Sequence, residues 1–79
     1  MLHESHNVAL ARQAYTTAMR QFAEEIRCGI DACVMPHLLA TSVGMTRLGV
    51  VQALCDSGHA DVARAFQQWC KEARSWRLR

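Results

Sequence analysis

Apolar residues in the first third of the chain recur at helical spacing. Val8, Tyr15, Met19, Phe22 and Ile26 follow one another at intervals of seven, four, three and four positions. Such intervals place side chains on one stripe of a helix, and polar residues fill the opposite side. The pattern predicts a first helix over about residues 7–28, and a glycine at position 29 is expected to end it.

A second long helix is predicted near the other end of the chain, over about residues 60–76. Its apolar positions are spaced by four, three, four and three, which is a heptad pattern. After Val62 the pattern continues through Phe66, Trp69, Ala73 and Trp76. These last four residues are predicted to form either part of the core or a seam between two subunits.

Two short helices are predicted between the long ones. Pro36 suits the first position of a helix, and Gly44 is expected to end that helix. A third helix is predicted from about Thr46 to Cys55, with Gly58 as its stop. The sequence therefore predicts a single all-α domain over residues 1–79, in which two long amphipathic helices flank two short ones.

The length of 79 residues limits the core that the chain can bury. Small domains often gain stability from disulfides, a metal or a second copy of themselves. We expect a homodimer on this ground.

Residues 38–54, LLATSVGMTRLGVVQAL, resemble a helix-turn-helix motif. Ala40 would allow close approach of the second helix, and Gly44 would take the left-handed conformation at the turn. Met45 and Val50 would fill the gap between the helices. The resemblance implies a dimeric DNA-binding regulator in which Thr46, Arg47 and Gln52 reach bases.

The outward positions of the third helix also favour a different partner. Leu48 and Val51 are apolar where a base-reading surface is expected to be polar. A hydrophobic protein contact accommodates them better. We therefore predict a partner-binding surface made of Arg47, Leu48, Val51 and Gln52, with DNA binding as the alternative.

The net charge of +2 is too small to indicate a polyanionic partner by itself. Cations nevertheless gather at the end of the chain, where they complement the dipole of the last helix or contact an anion. The candidate anion contacts are Lys71, Arg74, Arg77 and Arg79.

Four cysteines and four histidines are a high density for a chain of this length. The pairs Cys33–His37 and Cys55–His59 are each four positions apart, a spacing that can supply zinc ligands. Pro36 or Gly58 interrupts each pair. We therefore expect no metal cofactor, and we expect Cys28, Cys33, Cys55 and Cys70 to be small core residues.

No catalytic motif or glycine-rich phosphate loop is present, so we expect no enzymatic activity and no cofactor. No apolar run approaches the length needed to span a membrane, and no signal peptide is recognisable, so we expect a cytoplasmic protein. The expected function is that of a small bacterial- or phage-like regulatory protein. It would dock on a protein target, such as a transcription factor, and inhibit or modulate it.

Overall fold

The computed structural model describes residues 6–77, without the side chain of Arg77, and contains four helices in this range. They are α1 (His6–Asp31), α2 (Pro36–Ser42), α3 (Arg47–Asp56) and α4 (Ala60–Arg77). No strand occurs among the described residues. The predicted all-α fold, with two long helices flanking two short ones, is confirmed.

The core lies where α4 packs against α3, the C-terminal part of α1 and α2. Ile26, Val50, Leu54 and Phe66 are the largest fully buried side chains. Smaller or partly polar residues complete the core: Ala23, Leu39, Ala40, Val62, Ala63, Trp69 and Ala73. No polar or charged residue is buried in the described range.

The α4 seam that the sequence predicted belongs to this core. Phe66, Trp69 and Ala73 are all buried, and the indole Nε1–H of Trp69 donates a hydrogen bond of 2.7 Å to the carbonyl of Val34. Trp76 lies edge-on to Trp69 with 5.1 Å between ring centroids, and half of its surface remains exposed. The seam therefore holds the monomer together, and only its last residue faces solvent.

Helix α1 does not end at Gly29, so that prediction is wrong. The helix continues to Asp31, and Gly29 is buried against the side chain of Leu39. A Cβ atom at position 29 would overlap Leu39 Cδ2 and lie 3.1 Å from its Cγ. The glycine is required for the close approach of α2 to α1, because any side chain would fill that space.

The three connections between helices share one hydrogen-bond pattern. In each of them a backbone N–H bonds to the carbonyl five residues earlier: Val34 to Gly29, Met45 to Ala40 and His59 to Leu54. The residue before each donor has a positive φ, of 59° at Cys33, 71° at Gly44 and 85° at Gly58. This is the Schellman motif, which usually has glycine at that position. The helix ends predicted at Gly44 and Gly58 are confirmed. Cys33 takes the same conformation, but a cysteine does not indicate a helix end in the sequence.

Three of the four cysteines are not core residues, contrary to the sequence-based expectation, whereas Cys70 packs against the edge of the core. Cys28, Cys33 and Cys55 are exposed, and Cys70 is partly buried. Position 28 lies on the polar side of α1, opposite the stripe that contains Ile26. A small thiol is not confined to the interior when its helical position faces solvent.

The N-terminal half of α1 projects beyond the other helices, which explains the elongated dimensions of 61 × 18 × 18 Å. Residues 6–18, which we call the α1 arm, are all exposed. Val8 and Tyr15 are 47% and 57% exposed, so the N-terminal part of the predicted stripe does not belong to the core.

Over residues 6–77, no helix by itself has the length and apolar character needed to cross a membrane. The pair α2 and α3 meets these criteria of length and composition only when the two helices are taken together, and they are bent by 67° at their junction.

Candidate partner-binding site

The corner between α2 and α3 positions helix α3, which carries the predicted partner-binding residues. Ala40 and Val50 are buried at the contact of the two helices, and Gly44 takes the predicted left-handed conformation. Met45 is 39% exposed, so its predicted role as an interhelical plug is wrong. The axes of α2 and α3 are bent by 67° at their junction.

Thr46 fixes the first turn of α3. Its Oγ1 accepts a hydrogen bond of 3.0 Å from the backbone N–H of Gly49, as an N-cap residue should. A Cβ at position 49 would lie 3.2 Å from that same Oγ1. The hydroxyl is thus engaged in the cap, which limits its use for contacts with a partner.

The outer side of α3 presents the predicted contact residues. Arg47, Leu48 and Gln52 are exposed, and Val51 is half-buried. Leu48 is 66% exposed, the highest fraction among the exposed large hydrophobic residues of the described chain. It therefore contributes little to the core and is available to a partner.

A groove of about 400 Å³ runs between α3 and α4, and we call it the α3–α4 groove. One wall consists of Arg47, Leu48 and Val51. The other wall is a single ridge of α4, because the intervals of three and four positions place its members on one helix face. That ridge consists of Gln67, Cys70, Lys71 and Arg74.

The structure thus brings together three of the four predicted partner-binding residues and two of the predicted anion contacts. Gln52 is exposed on α3 but does not line the groove. The side chain of Arg77 and the whole of Arg79 lie outside the described residues. The sequence analysis did not predict Gln67 and Cys70. Each lies four positions before a predicted anion contact, Lys71 or Arg74, and this spacing places them on the same face of the helix.

Positive charge and apolar surface alternate along this groove. Arg47, Lys71 and Arg74 are cationic, and no acidic side chain is among the residues that line it. Burial raises the pKa of the Cys70 thiol, although the positive charges of Arg47 and Arg74 act to lower it. The thiol is therefore kept neutral, and the groove combines a neutral apolar floor with a cationic rim.

Comparison of this chain with protein-family models, curated proteins and solved structures gave no match. The functional argument therefore depends on the geometry and chemistry of the site.

The side chains that were considered as zinc ligands do not converge. Cys33, His37 and Cys55 are exposed at separate positions, and His59 is half-buried at the start of α4. No three His, Cys, Asp or Glu side chains within residues 6–77 lie close enough together to hold a metal ion. Interruption of each pair by a helix boundary explains why the spacing of four did not produce a site.

Proposed function

We propose that this chain is a small, non-enzymatic regulatory protein that binds a segment of a protein partner in the α3–α4 groove. The observation that carries the proposal is the position of Leu48, a largely exposed leucine beside three cations and without an acidic neighbour in the groove. Exposed apolar residues with a polar rim are typical of protein interaction sites.

The chemistry of the groove defines the partner segment. Leu48 and Val51 offer apolar contact to an aliphatic or aromatic anchor, and such anchors supply most of the energy of a small interface. Arg47, Lys71 and Arg74 favour carboxylates at the edges of that anchor, and arginine can bind them in a bidentate manner. The partner segment is therefore acidic and amphipathic, and a transcription factor inhibited or modulated in this way is the class we favour.

DNA binding is the alternative that the cations also permit. Two features favour a protein partner instead: the engagement of Thr46 in the helix cap and the exposure of Leu48. A leucine at the centre of the contact surface gives no hydrogen bond to a base edge.

Two leucines with similar exposure allow a matched test. Leu48 lies in the groove and is 66% exposed, whereas Leu38 lies on α2, outside the groove, and is 53% exposed. Wild-type protein, Leu48→Asp, Leu38→Asp and Arg74→Glu are used as baits in quantitative affinity capture. We expect a partner that is retained by wild type and Leu38→Asp and is lost from the other two. Equal retention by all four baits would show that the groove is not the binding site.

Circular dichroism and a DNA titration complete this test. Loss of helicity in Leu48→Asp would assign Leu48 to the core and would refute its place in the proposed binding surface. Fluorescence anisotropy of a labelled duplex at low and near-physiological salt measures DNA binding directly. Affinity of about 10⁻⁴–10⁻⁶ M that falls steeply with salt, and falls again in Arg47→Ala, would replace the protein partner with DNA.

A further inference from the structure

A second, smaller cavity adjoins the α3–α4 groove at the place where α2, α3 and α4 meet. It has a volume of about 50 Å³, and it shares Arg47, Cys70 and Arg74 with the groove. Sites for whole small-molecule ligands usually measure about 300–1,000 Å³. The cavity therefore admits a compact group of a few atoms, and the groove of about 400 Å³ accommodates the rest of a bound segment.

Three basic side chains line the cavity, and each belongs to a different helix. They are His37 of α2, Arg47 of α3 and Arg74 of α4. The lining also includes Pro36 and Ala73, which are buried and apolar. The effective dielectric constant beside such surface is lower than in bulk water, so charges attract each other more strongly there. An anion in the cavity therefore gains more than it would from the same side chains in free solution.

Arg47 and Arg74 act on the same atom. Both of their positive charges favour the ionised form of the Cys70 thiol, although burial outweighs them and raises its pKa. Neither arginine is paired with a carboxylate within residues 6–77, whereas Arg27 is held by Asp61 at 3.0 Å. No acidic side chain is among the described residues that line the cavity. Two guanidinium groups beside one small cavity, without an internal counterion, are typical of sites that bind phosphorylated or acidic groups.

We propose that this cavity binds a phosphate monoester carried by a side chain of the partner segment. The inference rests on the proposed function, because the segment itself would lie in the adjoining α3–α4 groove. A phosphoryl group carries a charge of about −1.5 to −2 at pH 7, which matches the two guanidinium groups. Its three terminal oxygens can accept hydrogen bonds from donors on three helices. A carboxylate has one charge and two oxygens, so it compensates these cations less completely.

Binding in the groove then depends on phosphorylation of the partner. The unmodified segment would leave Arg47 and Arg74 without a counterion, whereas the phosphorylated segment adds charge-assisted hydrogen bonds to the apolar contacts of Leu48 and Val51.

Inorganic phosphate and acetate are the first probes of the cavity. Each is titrated into the full chain at constant ionic strength, and the backbone amide and arginine Nε–H signals are followed by proton–nitrogen NMR. We expect saturable shifts at His37, Arg47 and Arg74, with a dissociation constant for phosphate on the order of 1 mM and at least about tenfold weaker binding of acetate. Shifts that do not saturate, or that lie elsewhere on the molecule, would overturn the site. Equal affinity for the two anions would overturn its preference for phosphate.

Two arginines on α4 allow a matched comparison. Both Arg74 and Arg64 are exposed, but Arg64 lines neither the cavity nor the groove. We expect Arg74→Gln to weaken phosphate binding at least about tenfold and Arg64→Gln to change it less than about twofold. Arg74→Lys keeps the charge but lacks the planar fork of donors, so it should retain only part of the affinity. Equal losses in Arg74→Gln and Arg64→Gln, with each spectrum verifying the fold, would show a response to net charge and would overturn the cavity.

Two synthetic peptide libraries distinguish a phosphorylated segment from a free phosphate compound. Both have degenerate flanking positions, and the central residue is phosphoserine in one and serine in the other. We expect peptides selected from the phosphoserine library to bind at least about tenfold more tightly than inorganic phosphate, and we expect Arg74→Gln to abolish this gain. Phosphopeptides that bind no more tightly than inorganic phosphate would assign the cavity to a free phosphate compound and overturn the proposal.

Affinity capture on the wild-type bait, repeated after phosphatase treatment of the lysate, separates this inference from the proposed function. A partner that depends on Leu48 but is retained after phosphatase treatment would overturn the phosphate requirement and leave the proposed function intact. Capture that does not depend on Leu48, with phosphate still bound at Arg47 and Arg74, would overturn the proposed function instead.

Discussion

Replacement of Cys33 by glycine is predicted to stabilise the protein. The three helix connections have the same hydrogen-bond pattern, but only the first has a residue with a side chain at the left-handed position, at φ 59°. The thiol of Cys33 is exposed. Glycine at this position therefore relieves the backbone strain, and loss of the exposed thiol costs little packing.

The magnitude follows from two opposing terms. A left-handed conformation costs an L-residue about 1–2 kcal/mol. Glycine avoids that cost but loses about 0.5–1 kcal/mol more conformational entropy on folding. The net gain in the free energy of unfolding is about 0.5–1 kcal/mol, which for a domain of this size raises Tm by about 2–8 °C.

Urea denaturation and thermal melts, followed by circular dichroism, measure this gain. Cys33→Ala is the matched control, because it removes the thiol but keeps the strained conformation, and it should give no stabilisation. In the converse experiment, Gly58→Ala has open space around the new Cβ but a φ of 85°, so it should lose about 1 kcal/mol. Equal stabilisation by Cys33→Gly and Cys33→Ala would refute the strain argument.

Three further predictions concern the core, a carboxylate and a thiol. Trp69→Phe keeps an aromatic ring but removes the donor to the Val34 carbonyl, so chemical denaturation should show a loss of about 1–3 kcal/mol. The pKa of Asp61 is lowered below 3.8, mainly by its hydrogen bond with the backbone of Val62, so its contribution to stability is present above pH 4 and is lost as the pH falls through the lowered pKa. Asp61→Asn should therefore flatten the pH dependence of Tm in that range, and an unchanged profile would contradict the assignment. Cys70, whose pKa burial raises, should react with iodoacetamide more slowly than the three exposed cysteines, as mass spectrometry of partly modified protein would show.

The sequence alone determined the number, order and type of the helices. Apolar residues at helical spacing indicate which side of a helix is buried, and this local pattern predicted almost the full lengths of α1 and α4. Gly44 and Gly58 marked two helix ends, because glycine reaches the left-handed conformation without strain. The outer residues of α3 could also be predicted, since Leu48 falls off the stripe that contains the buried Val50 and Leu54.

Only the tertiary structure decided which apolar stripe is covered and by what. Val8 and Ile26 belong to one stripe of α1, yet the first is exposed and the second buried, because α4 begins only near the middle of α1. The role of Gly29 likewise depends on Leu39, which approaches from another helix. The α3–α4 groove exists because Lys71 and Arg74 come to lie opposite Arg47 and Leu48. Periodicity describes one helix at a time, whereas burial and binding surfaces depend on where the neighbouring helices begin, end and cross.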